Sequence, residues 1–469
     1  MKWTLFTILL FVVSQPALAW SERGHHIIAV LAYEELTRSQ QAEIIRLIKA
    51  HPRFEQDFKI PEGIKNKEHW LVGRAGYWPD VARRTPEWNR PTWHYELGAS
   101  AVIGDVEPPA DPGPLPDDAT LETQELYASQ AFELCRRILL DGKQADADRA
   151  VALCWVLHGV ADLHQPCHTG SLYAEGVFDE GDRGANSIKT VQSGNLHALW
   201  DGLLGRNFDE GDVNRWIRDQ RNELAKLREA MGEFTQALGG RRERWDETAW
   251  IDVNEWISEG RQLASIVYPY ELRREIRAYG KNNTPLPKQD MKSYLVSAEY
   301  TDYFGAEAHY LQLAGAVARV RAHMAGKRLG LVIGATKVEL YGGWAVKRLT
   351  VGGKPGAPAM LGDVYDCIEI RDGSVAIYGR SFNRRSWVRT KFEVVGKTQK
   401  NGRRFWLLRD PDDRSPQKAI FTLNHANSLE LQLIGPDSSG VSNNLTFRLA
   451  RLPPERYEAL QDVWHKLPD

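Results

Sequence analysis

The chain has 469 residues, enough for two hydrophobic cores and more than one core usually organises. Lys and Arg number 60 against 62 Asp and Glu, a net charge of −2, which excludes any global attraction to nucleic acid or to an anionic surface. With 42% hydrophobic and 26% charged residues it is a folded chain, and any phosphate chemistry must come from a local cationic site.

Met1-Lys2-Trp3 is a short basic start, Leu5 to Val13 an apolar run too short to span a bilayer, and Ala17-Leu18-Ala19 a small-x-small cleavage motif. Residues 1–19 therefore read as a signal peptide, export to the periplasm or medium is expected, and Trp20 becomes the mature N-terminus. From Trp20 to Lys49 the spacing is helical, with Ser21 as its cap and His25 and His26 in the first turns. A free amine with a pKa near about 8 gives up its proton to a metal at little cost. The amine and carbonyl of Trp20 can chelate one ion, which His25 reaches once the helix has started; His26 points elsewhere and reads as packing or solvent-facing.

Asp80 follows Pro79 in an aromatic-rich turn, and His94 lies between Trp93 and Tyr95. Alone, Asp80 reads as a helix cap and His94 as a packed histidine. Arg83, one turn after Asp80, offers a planar fork of donors to a phosphate or is a solvated surface residue. Tyr95 is a stacking platform for a base or an ordinary packed ring. Residues Ile103 to Thr120 hold five prolines and several aspartates, so this is an irregular surface connection whose acidity disfavours phosphate. Helical spacing resumes from Leu121 to Leu140, breaks at Asp141-Gly142 and restarts at Ala145.

The stretch His158 to His168 packs three imidazoles and a carboxylate into a few residues. On a helix His158 and Asp162 share a face, and Pro166 turns the chain so that His168 can face a second ion. A buried His-Asp pair on a core helix is the alternative. Gly170 to Gly194 reads as an ordered loop with Arg183-Gly184-Ala185-Asn186 at its middle. Then His197 and Asp201 repeat the His-x3-Asp arrangement, and with His168 available to the second pair a multi-metal site of borderline divalent ions, zinc first, is the better reading. Further amphipathic segments run over Val213–Leu238, Trp250–Val267 and Ala306–Met324, with no strand pattern between Trp20 and Ala325.

The pattern changes near Gly326. Short alternating runs follow at Val338–Tyr341, Trp344–Val351, Val364–Ile370, Ser374–Tyr378, Trp387–Val395, Arg404–Leu408, Lys418–Leu423, Leu429–Leu433 and Leu445–Leu449. Strands at this spacing predict an all-β barrel or sandwich. Gly342-Gly343 reads as a turn or bulge, and the glycine-tryptophan step into Trp344 resembles the opening strand of lipocalin-like domains. Arg384, Arg385 and Arg389 form a basic stretch that solubilises a strand and turn or touches nucleic acid. Of the four cysteines, Cys135 and Cys154 on successive helical segments are expected to be able to form a disulfide in an oxidising compartment, while Cys167 and Cys367 belong to no CxxC ligand pattern.

At Trp20, His25, Asp80, His94, His158-x3-Asp162-x5-His168 and His197-x3-Asp201, the chain resembles the S1/P1 nuclease family, which is related to zinc-dependent phospholipase C. The His-x3-Asp-x-His-Gln-Pro-x-His run stands at His158 to His168 and the Asn-Leu-His-x2-Trp-Asp run at Asn195 to Asp201. The resemblance covers the first two thirds, giving an all-α zinc nuclease domain over 20–328 and leaving 329–469 as a separate β-rich domain. It implies three zinc ions: one on Asp80, His94, His158 and Asp162, a second on Trp20, His25 and Asp162, and a third on His168, His197 and Asp201. It further implies Asp162 and Arg83 in catalysis, Arg83 on phosphate, Tyr95 stacked on a base, and Asn186 in a glycine-rich substrate loop where Ala185 replaces the usual second glycine. His164 matches a position that is not a ligand. The expected substrates are single-stranded DNA, RNA and nucleotides, cleaved to 5′-phosphate products with accompanying 3′-nucleotidase action by a monomer. A phospholipase C is the enzymatic alternative, although such enzymes carry glutamate where Asp201 stands; an envelope- or carbohydrate-binding protein with a structural metal site is the noncatalytic one.

Overall fold

The computed structural model describes residues 20–219, 252–282, 284–294 and 309–336, and within 342–461 the segments 342–351, 354–355, 363–371, 373–381, 387–400, 403–409, 417–425, 428–436, 442–452 and 460–461. Residues 1–19, the latter part of the helix expected at Val213–Leu238, the strand expected at Val338–Tyr341, and Arg384 and Arg385 lie outside the described residues.

The helical region opens with α1 (Glu22–Glu34), α2 (Arg38–Lys49), α3 (Phe54–Asp57) and α4 (Lys67–Ala82), followed by β1 (Ala99–Ile103), α5 (Ala128–Leu140) and α6 (Asp146–Asp162). It continues through β2 (Ser171–Ala174), β3 (Lys189–Thr190), β4 (Gly194–Asn195), α7 (Leu196–Asp201), α8 (Val253–Gln262), α9 (Ala264–Val267), α10 (Tyr270–Asn282) and α11 (Tyr310–Gly334). The centre is α6, buried on every face from Arg149 to Asp162, as expected for a helix apolar all round. Helices α1, α2, α4, α5 and α11 surround it. α2 starts where Thr37 and Gln40 cap each other's backbone amides. α11 lies along α1, and a β-carbon at Gly326 would come within 2.7 Å of that of Leu31, so this crossing depends on the missing side chain.

α11 also supports the turn after α6 from behind. The fully buried Arg321 donates to the carbonyls of Leu163, His164 and Trp256 and to Glu259, and Arg328 bonds Glu259 through both terminal nitrogens and reaches His164 Nε2 at 2.8 Å. Arg321→Met is therefore expected to lower unfolding free energy by about 3 kcal/mol, the scale for removing one member of a buried ion pair. Urea denaturation would show this as a lower midpoint at unchanged slope; an unmoved midpoint would mean that the network is idle.

Several local expectations change. Ser21 makes no side-chain cap for α1 and instead donates its hydroxyl to Gly205 O. Asp80 caps nothing, because α4 runs on through Pro79 and takes Asp80 into its last turn. The helix expected from Leu121 begins at Ala128, after turns, where the Gln130 side chain accepts from Tyr127 N. The region is not free of strands: β1 and β2 pair in parallel from Ala99↔Ser171, and β3 and β4 pair antiparallel. Runs this short carry no period that separates strand from helix, and their partners lie far away or across a short turn. Cys135, Cys154 and Cys167 are buried thiols, and no Cys135–Cys154 disulfide forms. Both thiols fill the α5–α6 contact as small apolar side chains, where burial lifts their pKa values well above the usual thiol range.

From Gly342 onward the chain is a barrel, not a sandwich. β5 (Gly342–Val351), β6 (Lys354–Pro355), β7 (Asp363–Ile370), β8 (Ser374–Ser381), β9 (Trp387–Lys400), β10 (Arg403–Arg409), β11 (Gln417–His425), β12 (Ser428–Pro436) and β13 (Ser442–Arg451) pair antiparallel, and β13 returns to pair with β5. Closure removes the free edges that an open sheet would leave, with β6 appended beside β5. Alternate residues such as Leu429, Leu431 and Leu433 point inward with Trp344, Phe392, Trp406, Phe421 and Phe447 to fill the interior. Gly342 and Gly343 form no turn; they open β5 opposite Ile370 and Glu369. No helix among the described residues is long and apolar enough to cross a membrane.

Candidate metal centre and cleft

The last turn of α6 brings His158 and Asp162 onto one face, and the short 3-10 turn Pro166–His168 carries the next imidazole round the corner. α7 presents His197 and Asp201 from its single face after Asn195 caps its first turn at 2.7 Å from Ala198 N. α1 supplies His25, α4 supplies Asp80, and the 3-10 turn Pro91–His94 supplies His94. Three sets of ligand-type atoms result: His25 with Asp80 and His158, His94 with His158 and Asp162, and His168 with His197 and Asp201. All of these residues are buried.

Backbone carbonyls fix which ring nitrogen faces inward. Nδ1 of His158 donates to Gly76 O at 2.9 Å, Nδ1 of His168 to His94 O, and Nδ1 of His197 to Gly184 O. A carbonyl can only accept, so each ring turns an unprotonated Nε2 into the cluster. The Nε2 atoms of His168 and His197 consequently lie 3.0 Å apart with lone pairs opposed. His94 Nδ1 and His158 Nε2 face each other at 2.7 Å.

Asp162 sits among them, with His158 Nε2 3.0 Å, His25 Nε2 3.5 Å and His94 Nδ1 3.6 Å from its carboxylate oxygens. Neither of those oxygens receives a hydrogen bond, nor do Asp80 Oδ2, His94 Nε2 and both ring nitrogens of His25. Burial holds His25 and His94 well below the usual imidazole pKa, with the electrostatic coupling to the His158 ring and to the Arg83 guanidinium respectively adding to it, and lowers His158 and His197 to about 4. The same burial raises the carboxyl of Asp162 well above its usual range and that of Asp201 to about 6. Neutral imidazoles, opposed lone pairs and unpartnered buried carboxylate oxygens fit divalent cations, which supply what each of these atoms lacks.

Trp20 is fully buried beside this centre. Its indole donates to Ala161 O at 2.9 Å, and Ser21 N donates to Asp201 O at 3.1 Å, so the chain at Trp20 is threaded between the segments carrying Asp162 and Asp201. His26 takes no part: it packs on Phe208, and a β-carbon at Gly73 would collide with its ring. His164 turns away from the cluster, with Nδ1 on Val160 O and Nε2 on Arg328.

An open cleft of about 520 Å³ borders the centre, lined by Arg83, His94, Tyr95, His168, Asn186 and His197 among others. Arg83 Nε bonds Asp80 Oδ1 at 2.8 Å, which aims its guanidinium at the cleft. The Tyr95 ring is 40% exposed, with Tyr127 edge-on at 5.9 Å. Asn186 lies on the wall, its amide donating to Arg183 O at 2.8 Å.

Sequence reasoning missed Gln165, which donates to Asp201 Oδ1 at 2.7 Å and accepts from Cys167 N at 2.6 Å, tying the third set of ligands to the turn. Its place between His164 and Pro166 in the central motif was the available signal. The loop backbone was missed too: Arg183, Gly184 and Ala185 are all left-handed, at φ 59°, 58° and 68°. A β-carbon at Gly184 would collide with Cys167 O. Gly184→Ala is accordingly expected to destabilise the fold by about 2–3 kcal/mol and to displace His197 from its carbonyl. A thermal melt of the metal-free variant superimposable on the unsubstituted chain would overturn this.

The S1/P1 Nuclease family profile matches residues 20–336. Endonuclease 3 of Arabidopsis thaliana is 21% identical over 234 residues, which is 48% of this chain and 68% of that protein. Bovine odorant binding protein complexed with its natural ligand is 15% identical and overlaps 28% of this chain and 83% of its own, with a TM-score of 0.19; its complex with undecanal is 13% identical over 28% and 92%, with a TM-score of 0.18.

Proposed function

The chain belongs to the S1/P1 nuclease family, metal-dependent nucleases that act on single-stranded nucleic acids, and on that premise we propose how its residues divide the work. The observation that carries the reading is the Asp162 carboxylate, buried without a hydrogen bond among three imidazoles and bordering an open cleft with an arginine and a half-exposed tyrosine. Asp80, His94, His158 and Asp162 would hold one zinc ion, Trp20, His25 and Asp162 a second, and His168, His197 and Asp201 a third. When bound, the ions supply the charge that acidifies a water and stabilises phosphate oxygens.

The chain supplies the remainder. Asp80 aims Arg83 so that its fork of donors meets a non-bridging phosphate oxygen. Gln165 holds one oxygen of Asp201 and so limits how that carboxylate can turn. Tyr95 stacks an unpaired base and Asn186 contacts the substrate from the facing wall, while a paired base hides its face, so single strands are favoured. The products carry 5′-phosphates, DNA and RNA are both cleaved, and 3′-nucleotides are dephosphorylated at the same centre. All of these ligands come from one chain, so a monomer is sufficient. The boundary expected after residue 328 falls inside α11, which runs to Gly334, so we place it between Gly334 and Gly342, and we propose export through residues 1–19 to the periplasm or medium.

The test is a time course of single-stranded DNA hydrolysis by zinc-loaded protein beginning at Trp20, with end-group analysis, run beside phosphatidylcholine. Fragments bearing 5′-phosphates are expected. Release of phosphocholine without DNA cleavage would move the assignment to a phospholipase.

A further inference from the structure

We propose that Arg183 and Lys189 form a second phosphate subsite on the His197 side of the cleft, which takes the phosphate next to the scissile one in a polynucleotide. The inference rests on the nuclease reading above and deepens it: the preferred substrate carries at least two phosphates.

Both residues line the cleft together with Gly184, Asn195 and His197. Arg83 is engaged by Asp80, whereas neither Arg183 nor Lys189 has an ion-pair partner among the described residues. Two carboxylates share the cleft with them, the buried Glu96 and the exposed Glu180, so the exposed charges beside the pair are two cations against one carboxylate. Arg183 also lies near enough to the Tyr95 hydroxyl to oppose, as a cation, the upward push that burial gives its pKa.

The backbone beneath the two cations is built, not loose. Asp182 is fully buried; its N donates to Leu172 O and its carboxylate accepts from Leu172 N, while Gly184 N donates to Ser171 Oγ at 2.9 Å. These bonds staple the loop to β2 and hold Arg183 at φ 59°, a conformation that costs a non-glycine residue about 1 kcal/mol or more. Lys189 is fixed as well, since β3 pairs it with Asn195, two residues before His197. Both side chains therefore sit on segments bonded directly to the third set of ligands, at a constant offset from it.

The experiment measures binding of a fluorescent phosphorothioate dT10 to the full, zinc-loaded chain by anisotropy over a range of salt. It compares the unsubstituted chain with Arg183→Asn, Lys189→Gln and the double variant, and asparagine suits the left-handed position. Each phosphate contact on a single strand contributes about 0.7 to the slope of log K against log salt. The double variant is expected to flatten the slope by about 1.4, and Lys189→Gln alone, in a strand register that glutamine keeps, by about 0.7. In parallel, the ratio of kcat/KM on dT10 to that on a 3′-mononucleotide should fall about tenfold in the double variant. An unchanged slope in Lys189→Gln and in the double variant, or equal losses on both substrates, overturns the subsite. A flattened slope in a protein that cleaves no DNA at all keeps the subsite and overturns the nuclease reading instead.

Discussion

Asp162→Asn is expected to strip the two ions proposed to share this carboxylate and to lower kcat/KM on single-stranded DNA by on the order of 10³-fold. Among the described residues Asp162 is the one carboxylate within 4 Å of His25, His94, His158 and His168 together, so its oxygens are within reach of both ions it is proposed to hold. Asparagine keeps the volume at the end of α6 but withdraws the charge, which separates loss of metal from loss of packing. Metal analysis by mass spectrometry should return one zinc per chain, retained by His168, His197 and Asp201. Retention of three would show that Asp162 bridges nothing.

The metal-free protein gives the opposite sign. Burial raises the folded-state pKa of Asp162 above its unfolded value, so the unfolded chain loses that proton first. Ionisation then costs stability progressively as pH rises beyond the unfolded carboxylate value of about 3.9. At neutral pH the stripped Asp162→Asn chain should melt above the stripped unsubstituted chain, because an unpaired buried amide costs less than an unpaired buried charge.

The second large effect is expected from a single glycine left in front of Trp20. An amide nitrogen replaces the amine and cannot donate a lone pair to a metal. Trp20 has no freedom to move aside, fully buried and fixed through its indole to Ala161 O and through Ser21 N to Asp201 O. Loss of one zinc and about 10²-fold or more in rate should follow, by analogy with removal of one charge-stabilising group. Comparable zinc content and turnover in the two forms would remove Trp20 from the centre.

How much of this was legible depended on distance along the chain. His158 with Asp162, and His197 with Asp201, could be read because a helix places i and i+4 on one face, and Pro166 announced the turn that swings His168 aside. His25, Asp80 and His94 come from separate elements, and nothing local tells such residues from a packed histidine or a cap; only the family resemblance grouped them. The barrel strands were readable from alternation, as at Leu429, Leu431 and Leu433. What stayed hidden is nonlocal or conformational. Arg321 supports the carbonyl of His164 from 157 residues away, the parallel pairing of β1 with β2 leaves no period in either, and the left-handed turn at Ala185 contradicts its own residue type. The disulfide reading failed because cysteine count and compartment say nothing about whether two thiols meet in bonding geometry.

The crossing of α1 against α11 also bears on how the polypeptide reaches its native state. A domain whose opening helix must dock on its closing one has high contact order, and loop-closure entropy is spent before those contacts reward it. Gly326 and Gly330 make that docking intimate, so it cannot be approximated by a loose collapse. Refolding should therefore be slow and limited by this final closure, and until it occurs the His164 turn lacks its support from α11, leaving zinc capture as a late event on the folding pathway.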